Sequence, residues 1–594
     1  ASVLSRSGSA DSRRPTPDSR PYSSDSRLPV PDSRQVLDLA HLPADDPAVY
    51  AMLQAADTIG VFQVESRAQM ATLPRLKPER FYDIVVEVAI IRPGPIVGQM
   101  VHPYLKRRRG LEPVAYPHPS LAPILERTLG VPLFQEQLLR MAMVAAGFTG
   151  GEAEELRRAF GFKRSEKRMR EIEKKLRTGI ARQGIGDDVA DEIIRAITSF
   201  ALYGFPESHA ASFALLVYAS AYLKAHYPAA FYTAMLNNQP MGFYSPATLV
   251  KDAQRRGVRF APIDVQRSNW DCTIEADGRM RLGLRYVAGL RREIGLRIEE
   301  PRTEQRRGGE IGEPLSVVSG LTSPAGACGR CPKCGCEDDS MIERVGTTCF
   351  CNVCAHEWGA RSRRGAEEAE AQRMAAAAGS RFASIEDFVN RTGIHRDELR
   401  TLADTGALNA FGYDRRTAMW QIEAAMRASG ELYQETSTTE SGLPRALENA
   451  DRSPLKPMTI EERIIADYDG MGLTIGPHPM ALRRQELALR GVLPASDLPS
   501  GRHGRRVRVA GAVITRQRPG TAKGFVFLTL EDETGIANII VRPDVFAEQR
   551  RAVVGEPYLI VEGTLQIQEG VTSVKAERFY GMSAGADVTS RDFH

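Results

Sequence analysis

No apolar run in this sequence reaches the roughly twenty residues that a membrane-crossing helix needs. The longest candidate, 210–223, closes on Lys224 and His226. No secretory leader is read at the N-terminus, which is polar and rich in Pro and Ser, so the expected setting is the cytoplasm with no membrane partner. Cysteine is almost missing outside one stretch: seven of the eight lie within 328–354. That crowding excludes a distributed disulfide scaffold and points to metal ligation in a reducing compartment. Net charge is scarce as well. At +4 the overall balance cannot draw a polyanion, so any nucleic-acid surface has to come from local clustering. The chain also lacks an initial Met and opens on Ala, as a fragment or processed product would.

What is present describes a globular chain, 42% hydrophobic and 26% charged, whose 594 residues call for about three to five domains. Asp-Ser-Arg recurs at 11–13, 18–20, 25–27 and 32–34 in a polar, Pro-rich context. With no apolar seam it cannot form a coiled coil, and 1–34 is expected to be disordered. Asp46-Pro47 starts a short helix, and I-G-V-F-Q-V at 59–64 reads as a strand. Thr149 and Glu152 form a capping box for a helix carrying Leu156-Arg157-Arg158. Met169, Ile172, Leu176 and Ile180 make an apolar stripe, supported by Glu171/Lys175 and Glu173/Arg177 pairs. Residues 151–182 hold eleven Lys/Arg against six Glu. A solvated helix face explains such a run as well as phosphate binding does, but paired guanidinium forks favour phosphate.

The stretch from Tyr203 to Phe231 reads as a turn, with Gly204 and Pro206, leading into a buried helix capped by Ser208. Glu207, Ser208 and His209 cluster at its start, where N–H groups and the dipole favour an anion. An ordinary core helix with a capped end would carry the same residues.

Residues 245–300 read as a helix to Arg256, a strand near 258–265 and a hairpin across Ala276-Asp277-Gly278. Val287-Ala288-Gly289-Leu290 followed by Ile294-Gly295 is similar to one hairpin of a helix-hairpin-helix element, with Arg291 where a second glycine is usual. In 301–380, C-P-K-C and C-N-V-C stand sixteen residues apart, the spacing of a tetrahedral zinc ribbon held by Cys331, Cys334, Cys351 and Cys354. Cys328, Cys336 and Cys349 remain for a swapped ligand or an iron–sulfur cluster. The lobe serves either DNA or partner contact, or simply as a zinc-stapled fold. Five alternating runs at 507–514, 525–530, 536–541, 558–565 and 571–577 suit an OB barrel. Arg516, Arg518, Lys523, Phe525 and Phe527 lie where such barrels hold single strands.

Several of these stretches together resemble one family. I-G-V-F-Q-V-E-S-R at 59–67, R-P-G-P at 92–95, F-Q-E-Q at 134–137, L-R-R-A-F-G at 156–161 and Y-G-F-P-E-S-H-A at 203–210 are similar to the fingers of bacterial C-family DNA polymerases. D-Y-D-G-M-G-L-T-I-G-P-H-P-M at 467–480 resembles the connector before the family's OB domain. The P-E-S-H-A-A-S-F wording and the S-R-D-F-H terminus resemble the error-prone paralogue of the replicative alpha subunit.

The resemblance implies a multidomain, mainly α chain with a C-terminal OB-fold β-barrel; the small zinc-ribbon insert, read from the cysteine spacing, departs from the family's pattern. Its parts are a disordered segment at 1–34, fingers at 35–244, a helix-hairpin-helix-like region at 245–300 and an insert at 301–380 with its ribbon at 328–358. A helical continuation at 381–430, a linker and connector at 431–500, the barrel at 501–582 and a tail at 583–594 follow. Arg157, Arg158, Ser208, His209, Arg92, Gln135 and Gln137 are then expected around a dNTP. Lys106, Arg107, Arg108, Arg109, Lys163, Arg164 and Gly289, with the five barrel residues, are expected along DNA. Primer-template DNA, dNTP, a Y-family-like accessory protein and the sliding clamp are the implied partners, in a nucleoid-associated bacterial setting.

Polymerases hold two Mg²⁺ on carboxylates. In the family these lie in a palm preceding the motifs seen here, so no catalytic residue is assigned and this chain alone is expected to be inactive. The Asp467-Tyr468-Asp469 triplet sits in the connector and reads as structural; Asp45-Asp46 and Asp187-Asp188 read as helix-start acids. The rival expectation is a non-catalytic DNA-binding or scaffold remnant.

Overall fold

A computed structural model describes residues 37–91, 98–161, 166–200, 205–300, 330–333, 342–345, 348–351, 356–359, 381–425, 453–583, 585 and 590–593. The repeat at 1–34, the linker up to 452, and Arg92, Lys163, Arg164, Cys334 and Cys354 lie outside these residues. The chain divides into two units, Ala1–Ala44 and Asp45–His594. Residues 37–44 of the first hold one 3-10 turn, Leu39–His41, where the Asp38 carboxylate accepts the Ala40 N–H at 2.9 Å.

The second unit opens as Asp-Pro predicts. Helix α1 (Pro47–Gln54) is capped by Asp46, whose carboxylate accepts the N–H groups of Ala48 and Val49 at 2.9 and 3.1 Å. The strand expected at 59–64 is a run of turns instead. Gly60 and Gln63 both adopt positive φ (73° and 63°), so the chain reverses where a strand would extend. The buried Glu65 carboxylate accepts the Gly60 N–H at 3.1 Å and holds that reversal.

Helices α2 (Arg67–Leu76), α3 (Phe81–Ile90) and α4 (Gly98–Arg108) follow. Next come α5 (Ala122–Leu125), α6 (Gln135–Ala146), α7 (Gly150–Gly161), α8 (Glu166–Arg182) and α9 (Asp187–Phe200). Four of these, α6 to α9, close over a core of their own, in which Leu138, Met141, Leu156, Leu176, Ile180 and Ile193 are fully buried. The capping box forms as expected: Glu152 accepts the Thr149 N–H at 2.9 Å, and Thr149 Oγ1 accepts the Glu152 N–H at 3.3 Å. Lys175 and Arg177 find partners on neighbouring helices, Glu155 at 3.5 Å and Asp191 at 2.7 Å. These partners stand on facing helices, where same-helix pairs with Glu171 and Glu173 are expected.

Helices α10 (Glu207–His226), α11 (Pro228–Asn237) and α12 (Pro246–Arg255) lead into a small sheet. Its strands β1 (Phe260–Ala261), β2 (Thr273–Ile274) and β3 (Met280–Arg281) lie in the order β1-β3-β2, with the hairpin at 276–278 joining β2 to β3. Helix α13 (Arg292–Glu299) then precedes the insert, where β4 (Ile342–Val345), β5 (Thr348–Cys351) and β6 (His356–Gly359) form an antiparallel sheet. Past the insert come α14 (Ile385–Thr392), α15 (Arg396–Asp404) and α16 (Arg415–Ala425). Buried Arg381 stitches the two sides of the insert together. Its guanidinium donates to the carbonyls of Ile298 at 2.8 Å and Ser268 at 3.0 Å, so the chain leaves and returns at one place.

The connector supplies α17 (Ile460–Met471) and α18 (Pro479–Leu489). Asp467 is buried between Arg415, at 2.8 Å, and the Thr474 hydroxyl, at 2.5 Å, which is a structural placement.

The last domain has strands β7 (Val492–Leu493), β8 (Arg506–Gln517), β9 (Val526–Glu531) and β10 (Ile536–Val541), then α19 (Pro543–Glu548) and α20 (Arg550–Gly555). It ends with β11 (Tyr558–Gln568), β12 (Val571–Gly581) and β13 (Arg591–Phe593). All five expected strands are present. They close in the order β8-β9-β10-β12-β11-β8, with β10 and β12 parallel and the other barrel pairs antiparallel. Alternating residues such as Leu528, Leu530, Ile539, Val541, Leu559 and Val561 fill the interior. This is the five-stranded Greek-key barrel expected from the period-2 pattern.

Candidate nucleic-acid interface

The start of α10 is built against the start of α6. The Gln135 N–H donates to the Phe205 carbonyl at 3.1 Å, and the Glu207 N–H donates to the Glu136 carboxylate at 2.9 Å. Gln135, Ser208 and His209 therefore meet in one corner. Ser208 is not the cap: the helix begins at Glu207 with Pro206 before it, because Pro206 sits at φ −65° and ψ 138°, the extended geometry of a cap position. The carboxylate of Glu136 thus already answers the helix's preference for an anion. His209 is exposed, and its ring is flanked by Phe205 and Phe213 with centroids at 4.9 and 4.2 Å.

Gln137 takes no part in this corner. Its side-chain oxygen accepts the N–H groups of Leu133 and Phe134, and its amide donates to Ile124 and Thr128. With all four capacities spent and the residue buried, it is a structural cap in place of a base contact.

Arg157 and Arg158 stand exposed on α7, both gathered on one acid. Arg157 grips Glu154 with two bonds of 2.7 Å, and Arg158 reaches it at 3.2 Å. Hydrogen bonds from Arg157 hold the Glu154 carboxyl down at about 2. A phosphate approaching this pair has to displace a carboxylate.

The basic run on α4 splits by role. Arg108 donates to both oxygens of Asp83 at 2.7 Å and to the carbonyls of Leu76 and Lys77. Arg107 reaches the carbonyls of Ala115 and Leu129 and approaches Glu112. Helix packing therefore claims much of both guanidiniums, and they are ties within the fold more than a free DNA surface. Lys106 is exposed, and Arg109 pairs with Glu569 of the barrel.

In the hairpin region Gly289 is exposed at φ +76°, a conformation that favours glycine. Arg291, in the place of a second glycine, forks onto Glu398 at 2.9 and 3.0 Å, and its own N–H donates to the same acid. Burial works to raise the Glu398 carboxyl, yet these bonds and the His395 N–H hold it at about 2.

On the barrel, Arg516 is committed to the carbonyls of Val553 and Glu556 and to Ser590, so it anchors α20 and the tail and is not on a strand-binding surface. Phe527 lies under the guanidinium of Arg67, 5.2 Å from its ring centroid. Arg67 donates to the carbonyls of Leu528 and Ile539 at 2.7 and 3.1 Å, and burial lowers it to about 10 while leaving it charged at neutral pH. A second tie, Arg255 to Glu531 at 2.7 Å, fixes the same side. Arg518 and Lys523 are exposed and Phe525 is half-buried. The docking role of Arg67 was not read from the sequence; the one available signal was its place at the end of the I-G-V-F-Q-V-E-S-R stretch.

Cys331, Cys349 and Cys351 are buried, and Cys351 pairs with His356 across the β5–β6 hairpin that carries C-N-V-C. Among the described residues no group of three or more His, Cys, Asp or Glu is placed to hold a metal, and no helix is long and apolar enough to cross a membrane.

Three family models match in chain order. The bacterial DNA polymerase III alpha subunit finger domain covers 30–184, a helix-hairpin-helix motif covers 257–313 and 361–418, and an OB-fold nucleic acid binding domain covers 507–580. The error-prone DNA polymerase of Alkalilimnicola ehrlichii is 44% identical over 562 residues, 93% of this chain and 46% of that protein. The chain belongs to the error-prone DNA polymerase family. Family members of the same name from Methylococcus capsulatus and Pseudomonas paraeruginosa are 44% and 42% identical, over 92% and 93% of this chain and 47% and 46% of theirs. The chain thus spans about half the length of the curated family members it matches. The helix-hairpin-helix match breaks inside the cysteine-bearing segment, as expected if an insert interrupts that motif. A solved asparaginyl-tRNA synthetase from Pyrococcus horikoshii overlaps 15% of this chain and 21% of that one, at 29% identity and a TM-score of 0.13, which carries no argument about the family's fold.

Proposed function

We propose that this chain is the dNTP- and DNA-holding portion of an error-prone, DNA-directed DNA polymerase acting in translesion synthesis and repair after damage. The collinear identity over 93% of its length is the observation that carries this reading. Arg157 and Arg158 receive the triphosphate by exchanging Glu154 for phosphate oxygens. Ser208, His209 and Gln135 line the nucleotide corner, with Arg92 beside it. Gly289 of the hairpin region and Arg518, Lys523 and Phe525 of the barrel hold primer-template DNA by its backbone and by stacking. Lys106, Lys163 and Arg164 add phosphate contacts. A Y-family-like accessory protein and the sliding clamp are the partners, in a bacterial cytoplasm beside the nucleoid.

The carboxylates that hold Mg²⁺ belong to a palm in the part of the relatives that this chain does not span. Mg²⁺ there supplies charge stabilisation for in-line attack on the alpha phosphate. Primer extension tests the whole reading. The chain alone should extend no primer, and joining it to a palm-bearing half of a relative should restore extension. Failure of the joined protein to extend, with DNA binding intact, would favour the scaffold reading.

The insert fits structural zinc in its donor chemistry. Cys331 and Cys351 are buried thiols, one from each C-x2-C knuckle, and Cys351 ends a strand of a three-stranded antiparallel sheet. Cys334 and Cys354 complete the proposed set. Metal analysis of the purified chain should return one zinc per chain, lost in Cys351→Ser. A chain that folds its insert without zinc would rule the site out.

A further inference from the structure

We propose that the cleft between α2, α3 and α4 is a binding site for the phosphodiester backbone of a nucleic-acid strand, closed in the free chain by Glu569 from the β11–β12 turn. The cleft encloses about 860 Å³. Arg75, Lys77, Arg80, Arg109 and Arg127 line it beside the internally tied Arg107 and Arg108, so cations outnumber its acids, Glu79 and Asp83. Asp83 is moreover spent on Arg108. Among the described residues no ion pair joins Lys77 or Arg80. A concave surface with that excess of guanidinium forks suits a run of phosphates.

Glu569, on the barrel, reaches two of the arginines that line this cleft. Its carboxylate lies 3.4 Å from Arg75 and pairs with Arg109, contacts that join the barrel to α2 and α4. The residue sits in a tight turn with φ 55°, followed by Gly570 at φ 83°. Turns of that shape favour Asn or Asp before Gly, so Glu is an uncommon choice for the backbone. Its longer side chain, however, reaches the two arginines. At the other end Arg127 stacks on Tyr82, 4.0 Å from the ring centroid, and stands 3.6 Å from Glu207. Glu207 opens α10, beside Ser208 and His209. A strand leaving the barrel through this cleft is therefore led toward the nucleotide corner.

The inference rests on reading the chain as a DNA-binding polymerase portion. Anisotropy of a labelled oligo-dT strand with the 594-residue chain, titrated with salt, tests it. Glu569→Gln should tighten binding roughly threefold to fivefold and steepen the salt dependence by about one phosphate contact. Lys77→Gln with Arg80→Gln should weaken binding and flatten the same slope. The second variant alters exposed or partly exposed side chains away from the cores, so it decides the matter if Glu569→Gln disturbs folding. Inorganic tripolyphosphate serves as the second probe. If it binds in a Lys77- and Arg80-dependent way while oligo-dT ignores all three substitutions, the cleft takes free polyphosphate and the backbone assignment falls. Unchanged oligo-dT binding in every variant overturns the cleft alone. A wild-type chain that binds no oligo-dT overturns both readings.

Discussion

Changing Arg157 to alanine in a complete polymerase should raise the KM for the incoming dNTP by roughly tenfold to a hundredfold. One charge-assisted, forked contact to phosphate is lost. The geometry adds to that loss. Glu154 is held by two bonds from Arg157 and one from Arg158, and without Arg157 its negative charge is left with half its partners at the proposed triphosphate site. Arg157→Lys should recover part of the effect, since a point charge replaces the fork without its second bond. Glu154→Gln should lower KM, because a neutral amide is easier to displace. Steady-state primer extension across dNTP concentration reads all three. An unchanged KM for Arg157→Ala in a folded enzyme would remove α7 from the nucleotide site.

Lys224→Met should be the most damaging single change to stability. The ammonium is fully buried and donates to Asp252 at 2.9 Å, to Asp57 at 3.2 Å and to the Ile59 carbonyl at 2.8 Å. Tyr232 donates to the same Asp252 at 2.6 Å. This group ties α10 to α12 and to the turns before α2. Removing the cation takes from a buried carboxylate its nearest counter-ion and leaves only Arg255 at 3.9 Å, a loss of about 3–5 kcal/mol. Burial pushes Asp252 up, but Lys224, Tyr232 and Arg255 together hold it below its ordinary value. A carboxyl depressed in the fold contributes stability above its unfolded pKa and loses it as pH falls. In the variant that depression relaxes, so the damage should be largest near neutral pH and shrink in acid. Denaturant melts of both proteins at neutral and acidic pH check the sign. The double change Lys224→Met with Asp252→Leu should recover much of the loss; an equal penalty in the double variant would place the effect in packing instead.

The parts of this fold that were legible in the sequence are those set by near neighbours. Asp46-Pro47 and the Thr149/Glu152 box begin helices because cap and helix lie within three residues. The barrel strands were readable because their interior residues recur at period two, with β10 the clearest case of one buried face. The run 59–64 was misread because apolar residues in a buried turn look like a short strand, and nothing local announces a positive φ at Gln63. The candidate site was half legible. Arg157, Arg158, Ser208 and His209 were singled out by motif, and all four are exposed. The acids facing the anion-ready groups were not, because three of their four partners are remote. Glu136 lies 71 residues from Glu207, Glu398 107 from Arg291, and Glu569 460 from Arg109; only Glu154 is close to its arginines. Gln137 and Arg516 were misassigned for the same reason, since a side chain's exposure is decided by segments folded over it.

The bond from Arg381 to the Ile298 carbonyl makes the cysteine-bearing segment a side branch on a closed neck. With exit and return tied together, the span between them is set by the body, so changes of length within 301–380 should leave the flanking helices in place. Lineages are then free to swap or trim this appendage without re-tuning the polymerase-like body, and its sequence should diverge faster than the helices on either side.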